Sequence, residues 1–120
     1  MNFINLKIWE KSHQLTLEIY KLTKNIPKSE TFGVISQIQR ASSSIPANIV
    51  EGFGRKGYKE FIQFLYQAKG SLTETEYFLI LIRDLGYIDK LVIEKLLNEY
   101  EILAKMLNSF ISQLKIKSNV

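Results

Sequence analysis

The chain has no cysteine, one histidine, one tryptophan, two prolines and six glycines in 120 residues. The absence of cysteine excludes a disulfide framework and thiolate metal sites, and fits a reducing cytosol. A single histidine excludes the paired Glu-x-x-His motifs that build di-iron centres in helical bundles. It also leaves any serine nucleophile with one candidate base. Scarce glycine and proline predict few, short loops. The longest apolar run, YFLILI at residues 77–82, is far below the ~20 residues that cross a bilayer. The opening residues, MNFINLKIWEKSHQ, lack the apolar stretch and small-residue cleavage site of a signal peptide. A cytoplasmic protein with no membrane segment is the expectation.

A hydrophobic content of 46% and a charged content of 23% belong to an ordinary folded protein. The length predicts one domain over residues 1–120. Four amphipathic segments emerge, none with the alternation of a strand. The first spans about residues 6–25, with Trp9, Leu15, Ile19 and Leu22 facing inward and Pro27 ending it. The second starts at a Ser29 cap and reaches about Val50. The third covers about Tyr58 to Leu85, closed by Gly86. The fourth follows an Asp89 cap and reaches about Leu114, and the last six residues, KIKSNV, are expected to fray. Short connections between long helices predict an all-α fold, an antiparallel up-down-up-down four-helix bundle.

The second segment is the most distinctive. Its apolar or small residues recur at Ile35, Ile38, Ser42, Ile45 and Ile49, one helical face, yet Pro46 lies inside that rhythm. An interior proline removes a backbone donor and clashes one turn back, at ~3 kcal/mol or more. Ser42, Ser43 and Ser44 precede it, where a freed carbonyl could be satisfied and another helix could approach. Pro46, Asn48, Glu51 and Gly52 form the structural signature, with Asn48, Glu51 and Arg40 expected to make buried polar contacts. The third segment is apolar on every side through YFLILI, with Ile62, Tyr66 and Phe78 off its main stripe. Such a helix is buried on more than one side, which predicts self-association.

Chemistry is scarce. Glu10 and His13 have a di-iron spacing, but the second motif is missing, so no metal and no cofactor are expected. Gly52-x-Gly54-x-x-Gly57 spells a dinucleotide fingerprint but follows a helix, without the βαβ unit that gives it meaning. No catalytic constellation is present, and a non-enzymatic protein is expected. The net charge of +4 is uneven. Residues 1–60 hold nine Lys/Arg against five Asp/Glu, while residues 61–120 hold seven of each. Arg55, Lys56 and Lys59 are the tightest basic group. With Arg40 on the second helix they form a candidate surface for RNA or DNA, bound through phosphates without sequence readout. The same charges suit an acidic protein partner, or serve solubility alone.

The combination of motifs is specific. Leu6-x-x-Trp9, Ile19-Tyr20-x-Leu22-Thr23 and Phe32-Gly33-x-x-Ser36-Gln37 are followed by Arg40-Ala41 and Ser44-Ile45-Pro46-x-Asn48-Ile49-x-Glu51-Gly52. Phe64-Leu65-x-x-Ala68-x-Gly70-Ser71-Leu72-x-Glu74 and Leu85-Gly86-Tyr87 complete the set. The chain resembles, over nearly its whole length, the small bundle proteins encoded in intervening sequences of bacterial 23S rRNA genes, often labelled ribosomal-protein-like. The resemblance implies an antiparallel four-helix bundle assembled as a homopentamer. It also implies kinship with the accessory variability proteins of diversity-generating retroelements, basic pentamers that bind nucleic acid and a reverse transcriptase. The family often carries two consecutive arginines where Gln39-Arg40 stands, so the implied basic face is one charge poorer.

Overall fold

A computed structural model of the chain describes residues 2–118. Four helices in antiparallel sequence form the bundle: α1 (Lys7–Thr23), α2 (Ser36–Phe53), α3 (Tyr58–Asp84) and α4 (Lys90–Ser118). No strand occurs among the described residues. The expected fold class and the four segments hold. The bundle is elongated, 51 × 23 × 21 Å.

The inward stripes meet in one core. Ile19, Ile38, Ile45, Ile49, Leu65, Leu79, Ile82, Ile93, Leu103 and Leu107 are all fully buried. Each such side chain contributes roughly 1.5–3 kcal/mol relative to remaining in water. Tyr100 lies among them, also fully buried, and its hydroxyl has no hydrogen-bond partner among the described residues. Burial holds that phenol well above its ordinary pKa.

The helix ends follow local chemistry. Asp89 caps α4, its carboxylate accepting from the Leu91 amide at 3.2 Å. After α3 the Gly86 amide donates to the Arg83 carbonyl (3.0 Å) and the Tyr87 amide to the Ile82 carbonyl (3.2 Å). This double closure needs a left-handed residue, and Gly86 supplies it at φ 77°. Ser29 does not cap α2. It lies in a 3₁₀ turn, Lys28–Glu30, followed by a π turn, Thr31–Ile35, before α2 proper. Glu30 caps the π turn that leads into α2: one carboxylate oxygen accepts from the Val34 amide (3.3 Å), the other from the Tyr87 hydroxyl (2.8 Å). A carboxylate reaches further than a serine hydroxyl, and here it ties the α1–α2 connection to the α3–α4 turn.

Pro46 is buried within an unbroken α2. Its missing N–H frees the Ser42 carbonyl, four residues back. The serines do not satisfy it. Ser42 and Ser43 donate to the carbonyls of Gln39 and Arg40 in their own helix. The Thr16 hydroxyl on α1 lies 3.1 Å from the Ser42 carbonyl and 2.8 Å from the Ser12 carbonyl, so its proton bridges the two helices. On the other side of α2, Asn48 donates to the Ser44 carbonyl (2.8 Å) and hydroxyl (3.0 Å), and Ser71 of α3 donates to that same hydroxyl (2.9 Å). Asn48 makes polar contacts, but within its own helix and half-buried; the bond to α3 is made by Ser44. Arg40 and Glu51 make no buried polar contact, because both point to solvent. Gln39, beside Arg40, instead donates to the Thr23 hydroxyl at 3.1 Å and joins α2 to α1.

Two glycines in helices have opposite surroundings. A Cβ on Gly52 would sit 2.7 Å from Phe61 Cδ1 and 2.8 Å from Phe64 Cβ, because the first turns of α3 pack directly on this point of α2. A Cβ on Gly70, exposed in mid-α3, would meet nothing within 4 Å. Gly52→Ala should destabilise the fold by about 1–3 kcal/mol through overpacking. Gly70→Ala should stabilise it by about 0.5–1 kcal/mol through helix propensity. Urea unfolding of the two variants checks both, and the opposite signs are the diagnostic result.

Candidate nucleic-acid interface

The up-down topology decides which charges become neighbours. The start of α1, the end of α2, the α2–α3 loop, the start of α3 and the end of α4 all lie at one end of the bundle. Taking the first or last turn of each helix and the loop, that end holds Lys7, Arg55, Lys56, Lys59, Lys115 and Lys117 against Glu10, Glu51 and Glu60. Six positive and three negative groups place three of the net four positive charges there.

Arg55, Lys56 and Lys59 are exposed and adjacent, as expected. Arg40 is not with them: it is exposed on α2 but fifteen residues before Arg55, about 22 Å along the helix axis. Lys115 and Lys117 were missed because the final residues were expected to fray, whereas α4 continues to Ser118. Residues 119–120 of that tail lie outside the described residues. The signal that finds the two lysines is periodic: Leu107, Ile111 and Leu114 continue the buried stripe into the last turns of α4.

Arg55 is held in place. Its guanidinium lies 4.8 Å from the centroid of the Phe64 ring and pairs with Glu51 at 3.4 Å and Glu60 at 3.9 Å. All three charged side chains are largely solvated, so these pairs are worth ~0–1 kcal/mol and yield readily to a phosphate. Aromatic rings accompany the charges. Tyr58, 44% exposed, stands between Lys56 and Lys59. Tyr66 carries Lys69 at 5.7 Å and Lys115 at 5.3 Å from its ring centroid.

Trp9, expected to face inward, is only half-buried. It stacks on the exposed His13 ring (4.9 Å, 9° between planes) and meets Phe3 edge-on at 5.3 Å. His13 is thus a stacking partner at the surface. Among the described residues no group of three or more His, Cys, Asp or Glu side chains is placed to hold a metal. Gly52, Gly54 and Gly57 end one helix and begin another. No described helix is long and apolar enough to cross a membrane.

Two grooves open on the surface. The larger, 1110 Å³, runs between α1 and α4 over Leu15, Leu22, Val92 and Leu96, and the Lys11–Glu99 pair (2.8 Å) crosses it. The smaller, 800 Å³, runs between α1 and α2 beside the basic end, from Trp9 to Arg55.

A family model described as 23S rRNA-intervening sequence protein matches residues 4–109. Among solved structures, the chain is similar to a protein of unknown function from the S23 ribosomal protein family of Bacteroides thetaiotaomicron. The two share 32% identity, with a TM-score of 0.77 over 87% of this chain and 97% of that one. No curated protein matches the chain.

One carboxylate in the bundle titrates abnormally. Burial, and then the facing Glu101 of α4, hold the Glu76 carboxyl on α3 above its usual range. The fold binds this proton more tightly than the unfolded chain does, so ionisation costs stability above the raised pKa and nothing below the ordinary carboxylate value. Glu76→Gln should therefore raise the unfolding free energy read from urea titration at pH 7, by up to ~0.5 kcal/mol, and leave it unchanged near about pH 3.5.

Proposed function

The chain belongs to the 23S rRNA-intervening sequence protein family, and from that premise we propose that it is a non-enzymatic, self-associating bundle that binds RNA or DNA through its basic end. The gathering of Lys7, Arg55, Lys56, Lys59, Lys115 and Lys117 from three separate stretches of chain supports this reading. Clustered Lys/Arg neutralise phosphates and release counterions, which needs no sequence motif. Nothing in the bundle offers a reading head for base edges, so binding is independent of sequence.

Exposed apolar residues support self-association. On α3 the all-round apolar run leaves Tyr77 56% and Ile80 37% exposed on one helix, a surface that a second copy would cover. The pentamer that the family resemblance implies has a mass of five times 13.9 kDa, and a ring of basic ends would multiply a weak contact into an avid one.

A polarisation titration of the purified protein with labelled structured RNA or DNA tests the proposal. Binding should weaken linearly in log-log terms with salt. Changing Arg55, Lys56 and Lys59 together to Ala should weaken it at every sequence and lower the salt slope by about 2–3 for each protomer in contact. Light scattering on the same sample should give a multiple of the 13.9 kDa chain mass. No binding at low salt overturns the nucleic-acid reading, and an acidic protein partner is then the target to seek.

A further inference from the structure

The smaller groove has a property that electrostatics alone does not require. One wall is aromatic, made by Phe3 and Trp9, and the other is Pro46 and Val50 of α2. Arg55 and Glu51 stand at its end. A duplex offers phosphates and no open base face, so it has no use for such a slot. A single strand offers both: phosphates for the basic end and unstacked bases for apolar and aromatic walls.

We infer that the Trp9–Arg55 groove takes an unpaired base of a single-stranded nucleic acid whose phosphates lie on Arg55, Lys56 and Lys59. This inference rests on the nucleic-acid reading above and narrows its ligand to single strands or unpaired loops. Arg55 lines the groove and also begins the basic cluster, so base and phosphate of one nucleotide meet it together. Glu51, paired with Arg55 at 3.4 Å, keeps phosphate out of the slot itself and leaves it to the base. The groove, 800 Å³, is open to solvent along the face between α1 and α2.

Trp9 is the chain's one tryptophan and lines this groove, so no other tryptophan contributes to the emission that reports on it. The wild-type protein is titrated at low salt with adenine-rich single-stranded oligonucleotides, in DNA and RNA versions, and with a blunt hairpin duplex of equal charge. Trp9 emission and the anisotropy of a label on the nucleic acid are read together. Saturable change of Trp9 emission with a single strand, at an affinity roughly tenfold above that of the duplex, supports the inference, and the version that produces it identifies the sugar. Ala47 is exposed and lines the same groove. Ala47→Leu narrows the slot without altering charge or helix propensity, and should abolish the preference while duplex binding persists. Equal binding of strand and duplex with Trp9 emission unmoved overturns the inference and leaves the basic-end reading standing. An Ala47→Leu variant with undiminished preference overturns it equally. Failure of every nucleic acid to bind overturns both.

Discussion

The Thr16 hydroxyl, set between the Ser42 carbonyl of α2 and the Ser12 carbonyl of α1, is the contact on which this bundle is organised. Pro46 would leave a buried acceptor unpaired in the middle of α2, and an unpaired buried acceptor costs ~1–3 kcal/mol. Thr16 converts that defect into a link between helices. Because the freed carbonyl can be met only from outside α2, the proline specifies the side and height at which α1 docks. On the α3 side, Asn48, Ser44 and Ser71 form a second polar link. The two links bracket a segment whose other inward residues, Ile45 and Ile49, are fully buried and non-directional.

This registration sets the chemistry of the ends. With α2 fixed against α1, its last turn comes beside Trp9 and Phe3, and the space left over is the groove that Arg55 closes. With Gly52 lacking a Cβ, α3 starts close against α2, and Lys56 and Lys59 emerge beside Arg55. Helix α4 then returns Lys115 and Lys117 to the same end. At the opposite end, Glu30 joins the two connections through the Val34 amide and the Tyr87 hydroxyl. By the same count that opposite end holds Lys21, Lys24, Lys28, Arg83 and Lys90 against Glu30, Asp84 and Asp89, so the basic end is distinguished by the tight Arg55, Lys56 and Lys59 group and not by net charge alone.

Most of the fold was legible in the sequence because helical periodicity is a property of the chain alone. The stripes of α3 and α4 and the signals at Gly86 and Asp89 needed no partner to be read. The misses share a physical cause. Ser29 looked like a cap on local grounds, but Glu30 won because its longer side chain also reaches Tyr87, 57 residues away. The serines before Pro46 looked like its remedy, but Ser42 and Ser43 donate within their own helix, Ser44 joins Ser71 of α3, and the donor comes from Thr16, 26 residues earlier. Arg40 shares the charge of Arg55 and lies on the helix that precedes it, but about 22 Å of helix axis separates them. Lys7, Lys115 and Lys117 are neighbours of the basic loop through topology, which no window along the chain contains. Trp9 read as core by type, whereas its half-exposed setting depends on where α2 ends.

A double-mutant cycle between Thr16→Val and Pro46→Ala measures the central contact directly. The account predicts that Thr16→Val costs about 1–2 kcal/mol of unfolding free energy in the natural chain. In the Pro46→Ala background it should cost less than about 0.5 kcal/mol, because an alanine N–H then serves the Ser42 carbonyl, giving a coupling near 1 kcal/mol. Equal costs in the two backgrounds would contradict the claim that Thr16 stands in for the donor the proline removes.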